Sequence, residues 1–350
     1  MKEKKWLLFG GAVVGLAAVL LVMQGNPANM GFCIACFVRD IAGSLGLHKA
    51  AVVQYMRPEI IGLVVGAFVM ALFKKDFAPK GGSSPVLRFM LGFGVMVGAL
   101  IFLGCPLRMA LRIAGGDLNA VVGLGGFIAG ILIGIIFLKR GFTLGRTQRQ
   151  GKVEGVAMTG LNVAFLVVLL AFPTLLIFSE SGPGSLHAPI WMALAAGLVV
   201  GAIAQRTRLC MVGGLRDVVL FKDFTLIVGF VAVIVVTLVG NIALGKFNLS
   251  FDNQPVAHTQ HLWNFLGMTV VGLGSILLGG CPLRQLILTG EGNSDSAIAV
   301  LGMAVGAAFC HNFGLASSAA GTTPAGRTAC IITLVVMLVI AVFNTKKADA

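Results

Sequence analysis

Ten apolar segments, each close to the length of a membrane-spanning helix, follow one another along the 350 residues of the chain. About 20 apolar residues cross the hydrocarbon of a bilayer as an α-helix. Only 11% of the residues are charged, whereas a soluble domain needs about a quarter. We therefore predict an all-α polytopic membrane protein with about 9–10 transmembrane helices. The segments lie near residues 6–23, 57–73, 87–104, 118–138, 158–178, 189–205, 224–244, 263–280, 296–313 and 327–343.

Basic residues cluster at the ends of these segments and predict the topology. Loops rich in lysine and arginine stay in the cytoplasm, so ten spans place both termini there, in a bacterial inner membrane. The net charge of +13 follows from this pattern, and nucleic-acid binding is not expected. Residues 1–25 are predicted to form the first span, because no good cleavage site follows them. The clusters include Lys2, Lys4 and Lys5; Lys74, Lys75 and Lys80; Lys139, Arg140 and Arg149; and Lys346 and Lys347.

Two motifs recur at nearly the same offset and indicate an internal duplication. The pentapeptide Gly-Cys-Pro-Leu-Arg occurs at 104–108 and again at 280–284, an offset of 176 positions. Cys33, followed by Arg39-Asp40, matches Cys210, followed by Arg216-Asp217, at an offset of 177. Chance does not readily produce two motifs at a common offset. Since one span separates the repeats, their membrane orientations are opposite, which is typical of secondary transporters and channels.

The duplication divides the chain into four parts. We predict a first transmembrane repeat at 1–140, a cytoplasmic loop with a connector helix at 141–187, a second, inverted repeat at 188–315, and an outer loop with a C-terminal helix at 316–350. Glycine pairs four residues apart, such as Gly126/Gly130 and Gly302/Gly306, are typical of closely packed membrane helices.

The repeated cysteine motifs are predicted to form short re-entrant helices. Non-helical backbone at membrane depth is tolerated only inside protein or along a water-filled cavity, so the motifs indicate a pathway. Helix N-termini favour anions, and arginines at membrane depth are costly unless paired or functional. The topology places the first-half motifs toward the periplasm and the second-half motifs toward the cytoplasm. The candidate substrate-binding residues are Cys33, Cys36, Cys105, Arg108, Cys210, Cys281, Arg284 and His311.

Other residues in these motifs allow structural interpretations or different chemistry. Adjacent opposite charges neutralise each other cheaply, so Arg39-Asp40 and Arg216-Asp217 are interpreted as structural ion pairs. Cys33-x-x-Cys36 could serve as a redox couple or a metal site, but the second half has no second cysteine at that spacing. His258, in the loop at 246–262, is expected to be solvated. Cys330 is expected to be a buried apolar residue.

The repeated Gly-Cys-Pro-Leu-Arg together with the Cys33 and Cys210 segments resembles the YeeE/YedE family of bacterial membrane proteins over nearly the whole chain. The resemblance implies thiosulfate uptake through inverted repeats, with cysteines passing the anion along a central path by S–H···S contacts. Cys105, Cys281, Cys33 and Cys210 are the relay residues it implies. Cys36 and the Cys310-His311 stretch make the chain more similar to the YedE branch associated with selenium metabolism.

These observations predict an uptake transporter for a small sulfur- or selenium-containing anion, since thiols suit soft ligands better than phosphate or sugar. The predicted partners are the lipid bilayer, the anion and a cytoplasmic sulfur-carrier protein. No enzymatic activity, cofactor or metal is predicted, and no nucleotide-binding motif is present. The alternatives are a membrane thiol-disulfide oxidoreductase using Cys33 and Cys36, or a sulfur or selenium relay scaffold.

Overall fold

The computed structural model describes residues 2–345, which form fourteen α-helices, one 3-10 turn and one pair of very short strands. Nine helical segments of this part of the chain are long and apolar enough to cross a membrane, and one further apolar helix has 16 residues. The predicted all-α polytopic membrane fold is confirmed. Lys346 and Lys347, which the sequence places in the cytoplasm, lie outside the described residues.

Six helices form the first half and six form the second, with the same alternation of long and short elements. The first half comprises α1 (Lys2–Met23), α2 (Ile34–Ser44), α3 (Pro58–Phe73), α4 (Pro85–Phe102), α5 (Pro106–Ala114) and α6 (Leu118–Lys139). The connector α7 (Lys152–Ala171) follows, and a 3-10 turn (Pro173–Leu175) succeeds it. The second half comprises α8 (Ile190–Thr207), α9 (Met211–Phe221), α10 (Thr225–Ala243), α11 (His261–Leu277), α12 (Pro282–Gly290) and α13 (Ser294–Asn312), and α14 (Pro324–Phe343) completes the fold.

The two halves pack against each other in a reciprocal pattern. Helix α1 lies along α10 while α3 lies along α8, and α6 lies along α11 while α4 lies along α13. Helices α4 and α11 also contact each other. If α1 and α8, α3 and α10, α4 and α11, and α6 and α13 are exchanged, the first four contacts map onto one another and the contact between α4 and α11 maps onto itself. The halves therefore pack as a two-fold relation between them requires.

Glycines make the closest of these helix contacts, and the glycine contacts also map onto one another when the two halves are exchanged. A Cβ at Gly126 of α6 would collide with the carbonyl oxygen of Phe265 in α11. A Cβ at Gly302 of α13 would collide with the carbonyl oxygen of Phe89 in α4. Both the glycines and their partners stand 176 positions apart in the chain. Small residues thus let the backbones approach, as predicted from the glycine spacing.

The loops gather into two sets at opposite ends of the bundle. At the end that we call the basic end, strand β1 (Lys80–Gly81) pairs antiparallel with β2 (Gln148–Arg149), and Phe142 bridges to Thr345. At the opposite end, Asp117 bridges to Ser250. Gly10 near the start of α1 lies against Thr207 at the end of α8, and Gly25 after α1 lies against His187 before α8, so α1 and α8 run in opposite directions.

Two local predictions differ from the structure. Helix α7 occupies 152–171 rather than 158–178, because Pro173 cannot continue a helix and disfavours helical backbone before it. The prediction that His258 is solvated is wrong. Its ring is buried and lies 2.8 Å from the carbonyl oxygen of Ile101, so the loop before α11 folds back onto the bundle.

The glycine contacts can be tested by substitution. Gly126→Ala and Gly302→Ala should each lower the thermal stability of the detergent-solubilised protein, because the helices must separate; overpacking costs about 1–3 kcal/mol. Gly160→Ala is the matched control, since a Cβ on Gly160 of α7 meets nothing within 4 Å. The two destabilised variants should shift the unfolding midpoint by similar amounts. A neutral Gly302→Ala beside a destabilising Gly126→Ala would contradict the reciprocal packing.

Candidate functional site

The four repeated cysteines all occupy the same structural position, the N-cap of a short helix. Cys33, Cys105, Cys210 and Cys281 immediately precede α2, α5, α9 and α12. In α5 and α12 the next residue is proline, which fits the first helical turn because its missing N–H is not needed there. In α2 and α9 the cysteine sulfur accepts a hydrogen bond from the third residue of the helix, at 3.3 Å in both. Each thiol is therefore held at the positive end of a helix dipole.

Three thiols meet at the N-termini of α2 and α5, toward the opposite end of the bundle. The thiols of Cys33, Cys36 and Cys105 lie against one another. Cys105 also lies beside Ala35 at the start of α2 and near Arg108 of its own helix. We call these three cysteines together with Arg108 the enclosed thiol site, because each of the four is at most 1% exposed.

Arg108 is a buried cation without a carboxylate partner among the described residues. Its guanidinium lies 3.6 Å from the sulfur of Cys36 and donates to the carbonyl oxygens of Leu103, Asn29 (3.3 Å) and Val256 (3.2 Å). The other arginines buried in the described part of the chain have carboxylate partners, whereas Arg108 has none. These pairs are Arg39 and Arg57 with Asp40, and Arg112 with Asp117.

A loop between α10 and α11 covers the enclosed thiol site. Its residues Pro255 and Val256 supply carbonyl oxygens to Arg108. Val256 has a φ of +49°, which is strained for a β-branched residue. Burial lowers the pKa of His258, which keeps the ring neutral so that Nε2 donates to Ile101 and Nδ1 accepts from the backbone of Gln260. The loop therefore closes the site from that end.

Two thiols meet at the N-termini of α9 and α12, toward the basic end. The sulfurs of Cys210 and Cys281 are 3.8 Å apart, and Met211 at the start of α9 lies beside Cys281. The Arg284 side chain pairs with Glu291 at 2.9 Å. We call Cys210, Cys281 and Arg284 the open thiol site.

A cavity of about 610 Å³ leads to the open thiol site from the basic end. Cys210 and Arg284 line its wall, and the cavity walls carry both basic and acidic residues. Cys210 is 7% exposed, whereas Cys33 is 0% exposed. The two sites are therefore alike in their cysteines and helix N-termini but differ in access. The charged residues around the cavity are Glu3, Asp76, Arg206, Arg208, Arg216, Asp217, Asp223 and Arg284.

The two adjacent-charge pairs lie outside the thiol sites, and one of them has a partner that the sequence did not reveal. Arg39 and Asp40 are 2.7 Å apart, and Arg57 binds the other oxygen of Asp40 while donating to loop carbonyls. Arg216 and Asp217 are 2.8 Å apart, partly exposed, and line the cavity. Arg57 begins the second apolar segment, and a basic residue there was the only available signal.

His311 is not brought to either thiol site. Its ring lies 4.8 Å from the ring of His48 and is tilted by 32° to it, and His48 in turn hydrogen-bonds the carbonyl oxygen of Arg39 at 3.1 Å. Cys330 is buried within α14. All seven cysteines are free thiols, and the described residues hold no cluster of three or more metal-ligating side chains.

Comparison with known proteins matches the second half to a family of sulfur transport proteins. Residues 206–345 fit the family described as "Sulphur transport". The chain is 32% identical over 118 residues to the thiosulfate transporter TsuA of Spirochaeta thermophila, covering 34% of this chain and 35% of that protein. It is 32% identical over 111 residues to the thiosulfate transporter TsuA of Escherichia coli, covering 32% and 31%. The matched stretches span about a third of the length of these curated relatives. The predicted resemblance to the YeeE/YedE family is confirmed by these matches.

The difference in access predicts a difference in thiol reactivity. In detergent, a small methanethiosulfonate reagent should modify Cys210 at least about tenfold faster than Cys105, because only Cys210 faces an open cavity. Peptide mass spectrometry after timed quenching gives both rates in one sample. Cys330 serves as the internal control for slow modification of a buried thiol. Faster modification of Cys105 than of Cys210 would contradict the closed and open assignments.

Proposed function

We propose that the protein is an inner-membrane transporter that takes up a small sulfur- or selenium-containing anion through a central path lined by cysteines. The observation that carries the proposal is Arg108. A fully buried guanidinium without a carboxylate is costly, and a bound anion would supply the missing charge. The three thiols beside Arg108 favour an anion that contains sulfur or selenium.

The short helices support anion binding at both thiol sites. At each site two helix N-termini converge, and backbone N–H groups near these helix starts donate to the sulfurs of Cys33 and Cys210. Helix N-termini bind anions through such N–H groups and through the helix dipole. An anion entering the site would take over these donors from the thiol.

The thiols favour a soft ligand. A thiol is a weak donor with a polarisable sulfur, so it suits a terminal sulfur or selenium atom better than a phosphate oxygen. Weak contacts also permit release, which conduction through several sites in series requires. We infer that Cys33, Cys36 and Cys105 receive the anion and that Cys281 and Cys210 pass it to the cavity at the basic end.

The opposite directions of α1 and α8 support an inverted repeat in the membrane. In this arrangement the basic end faces the cytoplasm, as lysine-rich loops do. The enclosed thiol site then lies toward the periplasm and the open site toward the cytoplasm. With this orientation the cavity beside Cys210 would open to the cytoplasm, and uptake would require the loop over Arg108 to move.

A thiol-disulfide oxidoreductase is a second candidate, because the thiols of Cys33 and Cys36 are adjacent. Exchange proceeds by attack of a thiolate on a disulfide sulfur and so requires access. Both residues are 0% exposed. Trapping a mixed disulfide between Cys33 or Cys36 and a second protein would favour this candidate. The predicted sulfur-carrier partner stays a prediction.

Replacing single cysteines tests the path. Cys105→Ala and Cys281→Ala should each reduce uptake of ³⁵S-thiosulfate into cells by at least about tenfold, because each removes the thiol against which a helix pair converges. Cys330→Ala, in α14 and away from both sites, should transport normally. Size-exclusion chromatography should show equal amounts of folded protein. Normal uptake by both Cys105→Ala and Cys281→Ala would refute the path.

Competition defines the substrate. Selenosulfate should compete with ³⁵S-thiosulfate in reconstituted vesicles at concentrations similar to those of unlabelled thiosulfate, since selenium is at least as polarisable as sulfur. Selenite, whose terminal atoms are all oxygen, should compete less well. Sulfate, with four oxygens of similar geometry, is the control for charge alone. Equal competition by sulfate would show that the thiols do not select the anion.

A further inference from the structure

Glu59, one residue into α3, is a buried carboxyl group without a cation. Four carboxyl groups are fully buried in the described part of the chain, and three of them pair with arginine. Glu59 is 0% exposed and pairs with none. An ionisable residue within a membrane-spanning helix marks an ion or proton pathway by default. The three paired residues are Asp40 with Arg39 and Arg57, Asp117 with Arg112, and Asp295 with Arg88.

The two oxygens of Glu59 have unequal surroundings. Oε1 accepts a hydrogen bond from Nδ2 of Asn26 at 2.8 Å. Oε2 is buried and has no hydrogen-bond partner. No ion pair therefore fixes the charge of Glu59, whereas an ion pair with arginine fixes the charge of each of the other three buried carboxylates.

The segment from Asn26 to Cys33 joins Glu59 to the enclosed thiol site. The amide of Asn26 also donates to the carbonyl oxygen of Gly31 at 3.0 Å and accepts from the backbone N–H of Ala188 at 2.8 Å. The carbonyl oxygen of Asn29 accepts from Arg108. A change in the hydrogen bond between Glu59 and Asn26 therefore acts on the same short segment that carries Cys33 and holds Arg108.

The other titratable groups near Glu59 do not offer the same chemistry. Arg57 is paired with Asp40. The ring of Tyr55 stacks on His187 at 4.0 Å, and burial, reinforced by the charge of Glu59, raises the pKa of Tyr55 to about 12. Tyr55 therefore keeps its proton at neutral pH. The residues of α8 that pack on this part of α3, Leu194 and Gly197, are apolar.

The buried carboxyl group of Glu59 is not repeated in the second half of the chain. Helix α10, the counterpart of α3, contains no acidic residue from Thr225 to Ala243. The thiol sites occur twice because an anion must be bound at both ends of its path. A single carboxyl group beside the periplasmic site fits a different task, one that is performed once in each transport cycle.

We propose that Glu59 is the proton-binding site that couples uptake of the anion to proton entry. The inference rests on the proposed function. A thiosulfate-like anion carries two negative charges, and a negative-inside membrane potential opposes its entry. In the cycle, the Glu59 carboxylate takes one proton from periplasmic water as the anion binds at Arg108. The carboxylic acid returns that proton to cytoplasmic water after the anion leaves, and no other bond is made or broken.

Reconstituted vesicles test this coupling. With an inside-alkaline gradient of one pH unit, the unmodified protein should accumulate ³⁵S-thiosulfate about tenfold more than without the gradient for each proton carried, since one pH unit is a tenfold activity ratio. A pH-sensitive dye inside the vesicles should record acidification when thiosulfate is added outside. Glu59→Gln should lose both responses. Glu180→Gln, at an exposed carboxyl in the loop before α8, is the matched control and should keep both.

The outcomes separate this inference from the proposed function. If the unmodified protein moves no thiosulfate in either direction, the proposed function fails. If it exchanges thiosulfate but ignores the pH gradient, or if Glu59→Gln responds to the gradient as the unmodified protein does, only the proton site is overturned. Should Glu59→Gln not fold, infrared difference spectra of the unmodified protein replace it. A protonated-carboxyl band that changes on thiosulfate addition and is shifted by Glu59→Asp supports the site, and its absence overturns it.

Discussion

The compensation of charge inside an apolar bundle is the constraint on which this structure depends. A lone charge buried in the membrane is expensive, so each one must find a partner or serve a function. Most buried charges here are paired, as Arg112 is with Asp117 and Arg57 is with Asp40. Arg108 and Glu59 are the exceptions among the described residues. They have opposite signs, and both contact the segment between α1 and α2.

Much of this architecture could be predicted because the repeated motifs and the apolar segments can be read directly from the sequence. The 176-position offset reappears in the starts of α4 and α11, and in the glycine contacts between helices. The positions of Cys105 and Cys281 before short helices followed from the proline after each. Contacts between distant segments could not be predicted, since no local pattern reports them. Arg57 was missed as a partner of Asp40, and His258 was placed in solvent, because both depend on how loops fold back.

The two thiol sites repeat the same cysteines and short helices but differ in what binds their arginines. Their cysteines and converging helix N-termini match, but their cations do not. Arg284 has a carboxylate partner in Glu291, whereas Arg108 is held by carbonyl oxygens of a covering loop. An anion that binds Arg108 competes with these carbonyls. Binding therefore loosens the contacts that close the site, and the strained Val256 lies in the segment that is released.

The energetics of uptake connect the two unpaired groups. Moving one charge across the membrane against the potential costs about 2.3 kcal/mol per 100 mV, so a dianion meets about twice that cost. Weak thiol contacts cannot supply this energy, since whatever they gain on binding must be returned on release. A proton carried inward on Glu59 removes one of the two opposing charges and adds the pH gradient as a driving force. Binding the anion at Arg108 and the proton at Glu59 neutralises both unpaired charges of the empty protein together, so each ligand stabilises the state that accepts the other.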